Sequence, residues 1–250
     1  MACPGRELSP AAKSDRIRLD QTESDSFNAI MKRRLLLSLF VAASTAAFAA
    51  DAPKPEAAKG KTFVLFDGKS LDDWQSVDNG GSGAVEVADG EMLIHAGEGL
   101  SGTVYKKAKD LPLMNYELTA ETMRTEGSDF FCGLTFPVGK LDTCLTLIMG
   151  GWGGAVTGLS SIDGLDASEN NTSSYQRFKD NQWYKVKLRV TPKEIRVWID
   201  DKEVVNTDIE GKKLGLRPGP IESYAPLSFT TYQTSAAFKN VKVQSLTESK

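Results

Sequence analysis

Short alternations of apolar and polar residues run along the chain from about residue 62 and predict strands. The clearest alternation, in residues 116–124, has Tyr116, Leu118 and Ala120 as its apolar members and Glu117, Thr119 and Glu121 as its polar members. A two-residue period places one set on a buried sheet face and the other in solvent. Apolar runs follow at residues 130–136 and 143–149. We expect these three segments to be consecutive strands of one sheet, with function on the polar face.

Turn residues divide the remaining chain into similar short segments. Asp89-Gly90 separates residues 84–88 from residues 91–95, and Asp-Gly between two strands is a strong signal for a tight hairpin. We count at least ten such segments and find no convincing amphipathic helix. The pattern therefore predicts an all-β, antiparallel sandwich or barrel.

The N-terminal region has the features of an export signal. Lys32, Arg33 and Arg34 follow Met31, residues 35–41 are almost wholly apolar, and a small-x-small site ends at Ala49. This is the layout of a secretory signal peptide, and the apolar run is too short to span a bilayer. A buried N-terminal helix is the alternative.

If the signal is genuine, it divides the chain as follows. Residues 1–30 are a mis-assigned start, 31–49 the signal peptide, 50–61 a flexible leader, 62–246 the folded domain and 247–250 a tail. We therefore expect a periplasmic or secreted protein.

The net charge of the chain argues against one class of binding partner. Removing residues 1–49 takes away seven basic and five acidic residues, so the formal net charge changes from −3 to −5. An acidic protein without a basic cluster is a poor nucleic-acid binder. No later segment resembles a membrane span. The sequence leaves the oligomeric state open.

Cys132 and Cys144 are the two cysteines that remain after signal removal. If the strands of residues 130–136 and 143–149 form a hairpin with a left-handed Gly139, both cysteines lie six residues from Val138 and face each other. Directly paired residues of a hairpin lie within disulfide range, and export would provide an oxidising compartment. The alternative is two buried free thiols.

Candidate ligand-binding residues concentrate after the third strand. Residues 150–172 form a long Gly-, Ser- and Asn-rich loop that contains Trp152, and Tyr175 and Arg177 follow it. Loops of this length in compact domains are often functional, and flat aromatic rings beside polar groups suit a carbohydrate. Trp152 is therefore either a sugar platform or a cap on the core.

Candidate catalytic carboxylates lie on or beside the first strand. Glycoside cleavage commonly uses two carboxyl groups, and Glu117 and Glu121 share one strand face. A solvated strand face explains that pair equally well. Asp129, expected near Glu121 and Arg124, is a second candidate, and a turn-capping Asp is its alternative reading.

Metal and cofactor signals are weak. Asp67, Asp72 and Asp73 offer oxygen ligands that could hold Ca²⁺, although a turn followed by a solvated face explains them as well. His95 is the only histidine, which argues against a zinc site or a catalytic triad. We expect no cofactor.

Four motifs together resemble one bacterial family. They are the Leu-Phe-Asp-Gly-Lys-Ser-Leu-Asp-Asp-Trp opening at residues 65–74, the hairpin at 87–93, the paired Trp segments at 181–184 and 197–200, and the closing strand at 237–243. The chain is thereby similar, over residues 62–246, to the 3-keto-disaccharide hydrolase family, formerly domain of unknown function 1080. The resemblance implies a concanavalin A-like jelly-roll sandwich and an exported glycoside or 3-keto-disaccharide hydrolase.

The middle of the chain departs from this family pattern. Where the family has a polar Glu-x-Gln strand, residues 145–148 are Leu-Thr-Leu-Ile and contain no carboxylate. This departure favours the alternative of a non-catalytic, lectin-like carbohydrate-binding module. In either case we expect the ligand on the outward face of the sheet of residues 116–149, beneath the loop of residues 150–172. The expected lining residues are Glu121, Arg124, Asp129, Trp152 and Arg177.

Overall fold

The structure is a computed structural model, and it describes residues 58–247. The predicted signal peptide, the mis-assigned start and residues 248–250 lie outside the described residues. Within residues 58–247, no helix is long and apolar enough to cross a membrane.

The described chain contains fifteen strands, two short 3₁₀ helices and one helical turn. The strands are β1 (Ala58–Phe66), β2 (Trp74–Ser76), β3 (Val85–Ala88), β4 (Glu91–Ile94), β5 (Leu100–Tyr105), β6 (Tyr116–Glu126), β7 (Cys132–Val138), β8 (Lys140–Gly150), β9 (Val156–Ser160), β10 (Ser174–Tyr175), β11 (Tyr184–Val190), β12 (Glu194–Ile199), β13 (Lys202–Asp208), β14 (Ser228–Tyr232) and β15 (Ser235–Thr247). The 3₁₀ helices are Ala108–Asp110 and Pro220–Tyr224, and the helical turn is Gly151–Gly154.

The strands form two antiparallel sheets. The eight-stranded sheet has the order β13-β12-β11-β6-β15-β4-β3, with β1 also paired to β15, and the seven-stranded sheet has the order β10-β9-β8-β7-β14-β5-β2. Apolar side chains from both sheets fill the space between them, and Phe229 of β14 meets Phe238 of β15 at 4.7 Å between ring centroids. The predicted antiparallel β-sandwich is therefore confirmed.

Local turn chemistry agrees with the predicted hairpins. Asp89 and Gly90 both have positive φ angles, 52° and 82°, as a tight turn between β3 and β4 requires. Gly139 is also left-handed, at φ 77°, and joins β7 to β8. The domain begins slightly earlier than predicted, because β1 starts at Ala58.

The expectation that residues 116–149 form one sheet is wrong. All three strands exist, but β6 pairs with β11 and β15 in the eight-stranded sheet, whereas β7 and β8 belong to the seven-stranded sheet. The chain crosses between the sheets after β6, and Phe131 at the crossing is buried in the core. The predicted polar face therefore divides between two opposite surfaces.

The predicted disulfide is also wrong. Pro137 and Val138 extend β7, so Cys132 faces Met149 and Cys144 faces Pro137. Both cysteines are buried free thiols. Burial raises the pKa of Cys132 to about 12 and that of Cys144 to about 11.

Candidate functional site

A cleft of about 500 Å³ lies on the outer face of the seven-stranded sheet. Its floor comes from strands β8, β9 and β14, and its walls come from the segments before β5 and β7 and from the loops after β8, β9 and β13. The lining residues are Gly99, Leu100, Asp129, Phe130, Thr146, Ile148, Trp152, Ser160, Asp166, Arg217, Pro218, Pro220, Ile221 and Tyr232. We call this the sheet cleft.

Short side chains leave a depression on this face of the sheet. Thr146 lies opposite Ser160 on the neighbouring strand, and its hydroxyl is 2.9 Å from that of Thr135. A Cβ atom added to Gly133 would meet the Thr230 hydroxyl oxygen at 2.3 Å, so this position has no room for a side chain. The short side chains of Thr146 and Ser160, by contrast, leave space above the sheet that longer ones would fill.

Two stacked rings form one side of the sheet cleft. The rings of Phe130 and Tyr232 are 6.0 Å apart and inclined by 27°. The backbone N–H of Tyr232 donates to the carbonyl of Phe130 at 3.1 Å, which fixes the two residues side by side. Leu100 lies opposite Tyr232 in the sheet and extends the apolar wall.

Trp152 enters the sheet cleft from a tightly wound turn. Its backbone is left-handed, with φ 52° and ψ 53°, and the flanking Gly150 and Gly153 are also left-handed. A left-handed conformation is costly for a bulky residue and needs support from its surroundings. The Asp129 carboxylate provides it by accepting the N–H of Gly153 at 3.1 Å and that of Phe130 at 2.7 Å. The ring is presented in this way with 45% of its surface exposed.

An ion pair lies on another wall of the sheet cleft. Arg217 Nη1 is 2.9 Å from Asp166 Oδ2, and the Asp166 side chain is only 15% exposed. Asp166 Oδ1 also accepts the N–H of Ala167 at 2.8 Å. The cleft therefore combines a mainly apolar lining with two carboxylates and one guanidinium.

The loops that carry Asp166 and Arg217 hold each other in place. The N–H of Ser161 donates to the carbonyl of Gly215 at 2.7 Å, and the N–H of Asp163 donates to that of Lys213 at 2.7 Å. Within the first loop, the Asn170 side-chain amide donates to the carbonyls of Leu159, Leu165 and Asp166. Because these hydrogen bonds hold the backbone of this wall in place, we infer that the cleft is already formed before a ligand binds.

Two of the residues predicted to line the ligand site, Asp129 and Trp152, line the sheet cleft. Arg124 is buried, donates to Asp180 Oδ1 at 2.5 Å and to the Phe178 carbonyl at 2.9 Å, and does not line the cleft. Its role in the structure is to tie β6 to the segment before β11.

The predicted pair Glu117 and Glu121 lies on the opposite sheet. Glu117 is 5% exposed and its Oε1 is 2.7 Å from Arg189 Nη2, whereas Glu121 accepts the side-chain N–H of Asn240 at 2.8 Å. The expectation of a solvated face is wrong for Glu117, because Arg189 of the neighbouring strand covers it. Neither carboxylate faces the sheet cleft.

Two further predicted residues lie outside the cleft, and most of its lining was not predicted. Tyr175 on the edge strand β10 is 76% exposed, and Arg177 is exposed after it. Twelve of the fourteen lining residues are absent from the predicted site, and the aromatic and charged ones among them are Phe130, Asp166, Arg217 and Tyr232. Asp166 was inside the predicted loop, but only the fold brings it to Arg217, 51 residues later.

The candidate Ca²⁺ ligands have separate partners. Asp67 pairs with Lys69 at 2.9 Å and Asp73 with Lys107 at 2.6 Å, while Asp72 accepts the Ser70 hydroxyl. The Lys69 ammonium holds the pKa of Asp67 below its ordinary value. Among residues 58–247, no group of three or more acidic, His or Cys side chains is placed to hold a metal ion.

Comparison with known proteins agrees with the fold. The model of one protein family, described as the 3-keto-alpha-glucoside-1,2-lyase-like domain, matches residues 61–244. No curated protein matches the sequence significantly.

Several solved structures are similar to this chain at low sequence identity. A Crh5 transglycosylase in complex with NAG is 10% identical with a TM-score of 0.52, the match covering 76% of this chain and 85% of that one. A putative glycosyl hydrolase from Parabacteroides distasonis is 17% identical with a TM-score of 0.47, over 75% of this chain and 100% of that one. The carbohydrate-binding module CBM66 from Bacillus subtilis is 12% identical with a TM-score of 0.45, over 68% and 94%. The predicted concanavalin A-like jelly roll is confirmed.

Proposed function

The chain belongs to the 3-keto-alpha-glucoside-1,2-lyase-like domain family, and we propose that it binds and cleaves a 3-keto-glucoside or related glycoside in the sheet cleft. The observation that carries this proposal is the joint presence of an exposed Trp152, two carboxylates and Arg217 in one pre-formed cleft. Aromatic faces with a few convergent polar groups are typical of small-ligand sites. A sugar ring would stack on Trp152 while its hydroxyls meet the polar groups.

The chemistry of a 3-keto-glucoside suits this set of residues. A carbonyl at C3 makes the proton at C2 acidic, so a carboxylate can remove it. The C1–oxygen bond then breaks, a double bond forms between C1 and C2, and the leaving oxygen takes up a proton. Asp129 or Asp166 would act as the base, and Arg217 would stabilise the negative charge that develops on the C3 oxygen.

A binding module without catalysis is the second candidate. Both Asp129 oxygens accept backbone N–H groups, and Asp166 is paired with Arg217. Carboxylates engaged in this way hold the cleft in shape and are less available for proton transfer. In that case the sheet cleft would bind its sugar unchanged.

Turnover by the purified protein separates the two candidates. We expect a 3-keto-glucoside to be consumed, with the released alcohol detected by mass spectrometry. Of the variants Asp129→Asn and Asp166→Asn, the one that removes the base should slow turnover at least about a hundredfold, as loss of a general base does. Trp152→Ala should weaken binding, and Tyr175→Ala, which removes an exposed aromatic ring outside the cleft, should change neither binding nor turnover. If calorimetry detects binding but no substrate is consumed, the protein is a binding module without catalysis.

The location of the protein is a separate proposal. A signal peptide at residues 31–49 supports export to the periplasm or the medium. Expression of the gene in its host followed by N-terminal sequencing should give a mature chain that begins at Ala50. A mature chain that still begins at Met1 would contradict export through this signal.

A further inference from the structure

A second hollow lies on the opposite side of the sandwich, on the outer face of the eight-stranded sheet. It has a volume of about 420 Å³, and Thr119 of β6 is one of its lining residues. Lys187 of β11 and Lys242 of β15 are the direct neighbours of Thr119 on its two sides. Because adjacent strands are about 4.8 Å apart, two long cationic side chains flank a short hydroxyl side chain. We call this the lysine hollow.

The cations of the lysine hollow are not neutralised. Elsewhere on this face, Arg189 pairs with Glu117 at 2.7 Å and Arg196 pairs with Glu203. Within the part of the chain that the structure describes, Lys187 and Lys242 have no carboxylate oxygen within 4.0 Å. Lys185 is a third lysine in the lining, and the carboxylates of Glu121 and Asp201 lie in the same hollow.

The Trp198 ring keeps one of these charges in place without cancelling it. Lys187 Nζ lies 4.3 Å from the centre of the Trp198 ring, which also lines the hollow. An aromatic face attracts an ammonium group but leaves its positive charge available to a ligand. Lys187 is therefore pre-positioned for an anion.

The remaining lining suits hydroxyl groups. Asn240 has a left-handed backbone, φ 54°, within an irregularity of β15, and its amide donates to Glu121 Oε1 at 2.8 Å. Glu121 and Asp201 add carboxylate oxygens that can accept hydrogen bonds from a ligand. A hollow of this volume, lined by cations and by carboxylate and amide oxygens, suits a single sugar unit that carries an acidic group.

We propose that the lysine hollow binds an acidic sugar, with its carboxylate or sulfate group between Lys187 and Lys242 above Thr119 and its hydroxyls on Glu121 and Asn240. This site is distinct from the sheet cleft, and the proposal does not depend on the function of that cleft. It also gives a role to Glu121 that needs no catalysis.

Calorimetry with the purified protein tests this proposal. The probes are galacturonic acid, a sulfated galactose, neutral galactose and inorganic sulfate. We expect one or both acidic sugars to bind, and the double variant Lys187→Gln/Lys242→Gln to weaken that binding about tenfold or more, because it removes two charge-assisted hydrogen bonds. Comparing the carboxylate and sulfate probes identifies the acidic group.

Matched controls distinguish a site from general charge attraction. Lys140→Gln/Lys193→Gln changes the net charge equally at exposed lysines outside the hollow, and it should leave binding unchanged. Trp198→Phe should retain more binding than Trp198→Leu, because only phenylalanine keeps an aromatic face for Lys187. Trp152→Ala in the sheet cleft should have no effect. Melting temperatures confirm that each variant is folded.

Several results would overturn the proposal. If neutral galactose binds as tightly as the acidic sugars, the acidic group does not contribute to recognition. If only inorganic sulfate binds, the hollow is a simple anion site and not a sugar site. An equal loss in the Lys140→Gln/Lys193→Gln control would assign the effect to net charge. Absence of binding by both acidic sugars at millimolar concentration would exclude the site.

Discussion

Replacement of Glu117 should lower stability without affecting the sheet cleft. Glu117 lies directly opposite Arg189 in the eight-stranded sheet, and its Oε1 accepts Arg189 Nε at 2.8 Å and Nη2 at 2.7 Å. The two side chains are 5% and 15% exposed. Glu117→Ala removes the acceptor and leaves a largely buried guanidinium without its partner.

The size of the effect follows from the burial of the pair. Breaking a buried ion pair by removing one partner costs about 3–5 kcal/mol. Arg189 keeps partial access to water and lies 5.5 Å from the Trp198 ring, so we lower the expected loss to about 2–4 kcal/mol. At roughly 2–4 °C per kcal/mol for a domain of this size, the melting temperature should fall by about 5–15 °C.

A double replacement separates the ion pair from simple loss of packing. Thermal and urea melts of Glu117→Ala, Glu117→Leu, Arg189→Met and Glu117→Leu/Arg189→Met form the series. Because apolar residues of similar volume often replace a buried pair without loss, we expect the double variant to be more stable than Glu117→Ala. Glu117→Gln, which keeps an acceptor oxygen, should fall between wild type and Glu117→Ala.

The same variants decide whether Glu117 has a catalytic role. If Glu117→Ala melts at the wild-type temperature but abolishes turnover, the ion-pair account is wrong and Glu117 acts in the chemistry. If the double variant is destabilised by the sum of its single changes, the two side chains are not coupled. We expect neither, and we expect sheet-cleft ligands to bind all folded variants equally.

Three further predictions concern other parts of the fold. Arg124→Met should cost about 2–3 kcal/mol in urea melts, because a buried carbonyl and a carboxylate lose their donor, and Arg124→Lys should not fully rescue it. Cys132 and Cys144 should resist alkylation in the folded protein at pH 8 and react after unfolding. Burial raises the pKa values of both thiols in the folded protein, so above about pH 9 the thiols ionise only in the unfolded state. The free energy of unfolding should therefore fall there by up to about 1.4 kcal/mol per pH unit for each thiol. Gly133→Ala should lower the melting temperature, because its Cβ would meet the Thr230 hydroxyl, and Thr230→Ser, which keeps that hydroxyl, should not restore it.

Sequence patterns predicted those features of the fold that depend on residues close together in the chain. The alternation of residues 116–124 gave the buried Tyr116, Leu118 and Ala120 correctly, and Asp89-Gly90 gave a real hairpin turn. Both depend on backbone geometry within a few residues. The glycine-rich turn around Trp152 was predicted for the same reason, since glycines concentrate where the backbone must be left-handed. The expectation of one loop over residues 150–172 is wrong, because strand β9 lies inside that segment and pairs with β8.

Pairing between distant segments could not be predicted in this way. Strand β6 looked like a neighbour of β7 because the two are adjacent in sequence, yet its partners β11 and β15 lie much later in the chain. Glu117 appeared solvated because Arg189, 72 residues away, was not known to cover it. The ion pair between Asp166 and Arg217 could not be predicted either, because only the fold brings these distant residues together.

The two outer faces of the sandwich should bind ligands by different physics. The seven-stranded sheet presents short side chains such as Thr146 and Ser160 beside the stacked rings of Phe130 and Tyr232, so a neutral ligand there is held mainly by apolar contact and stacking. The eight-stranded sheet presents long charged side chains such as Lys187 and Lys242 beside solvent. Exposed charges are screened within about 8 Å at physiological ionic strength, whereas stacking on Trp152 is not. Raising the salt concentration should therefore weaken an acidic sugar in the lysine hollow while leaving a neutral glycoside in the sheet cleft bound, and equal salt dependence at both sites would contradict this division.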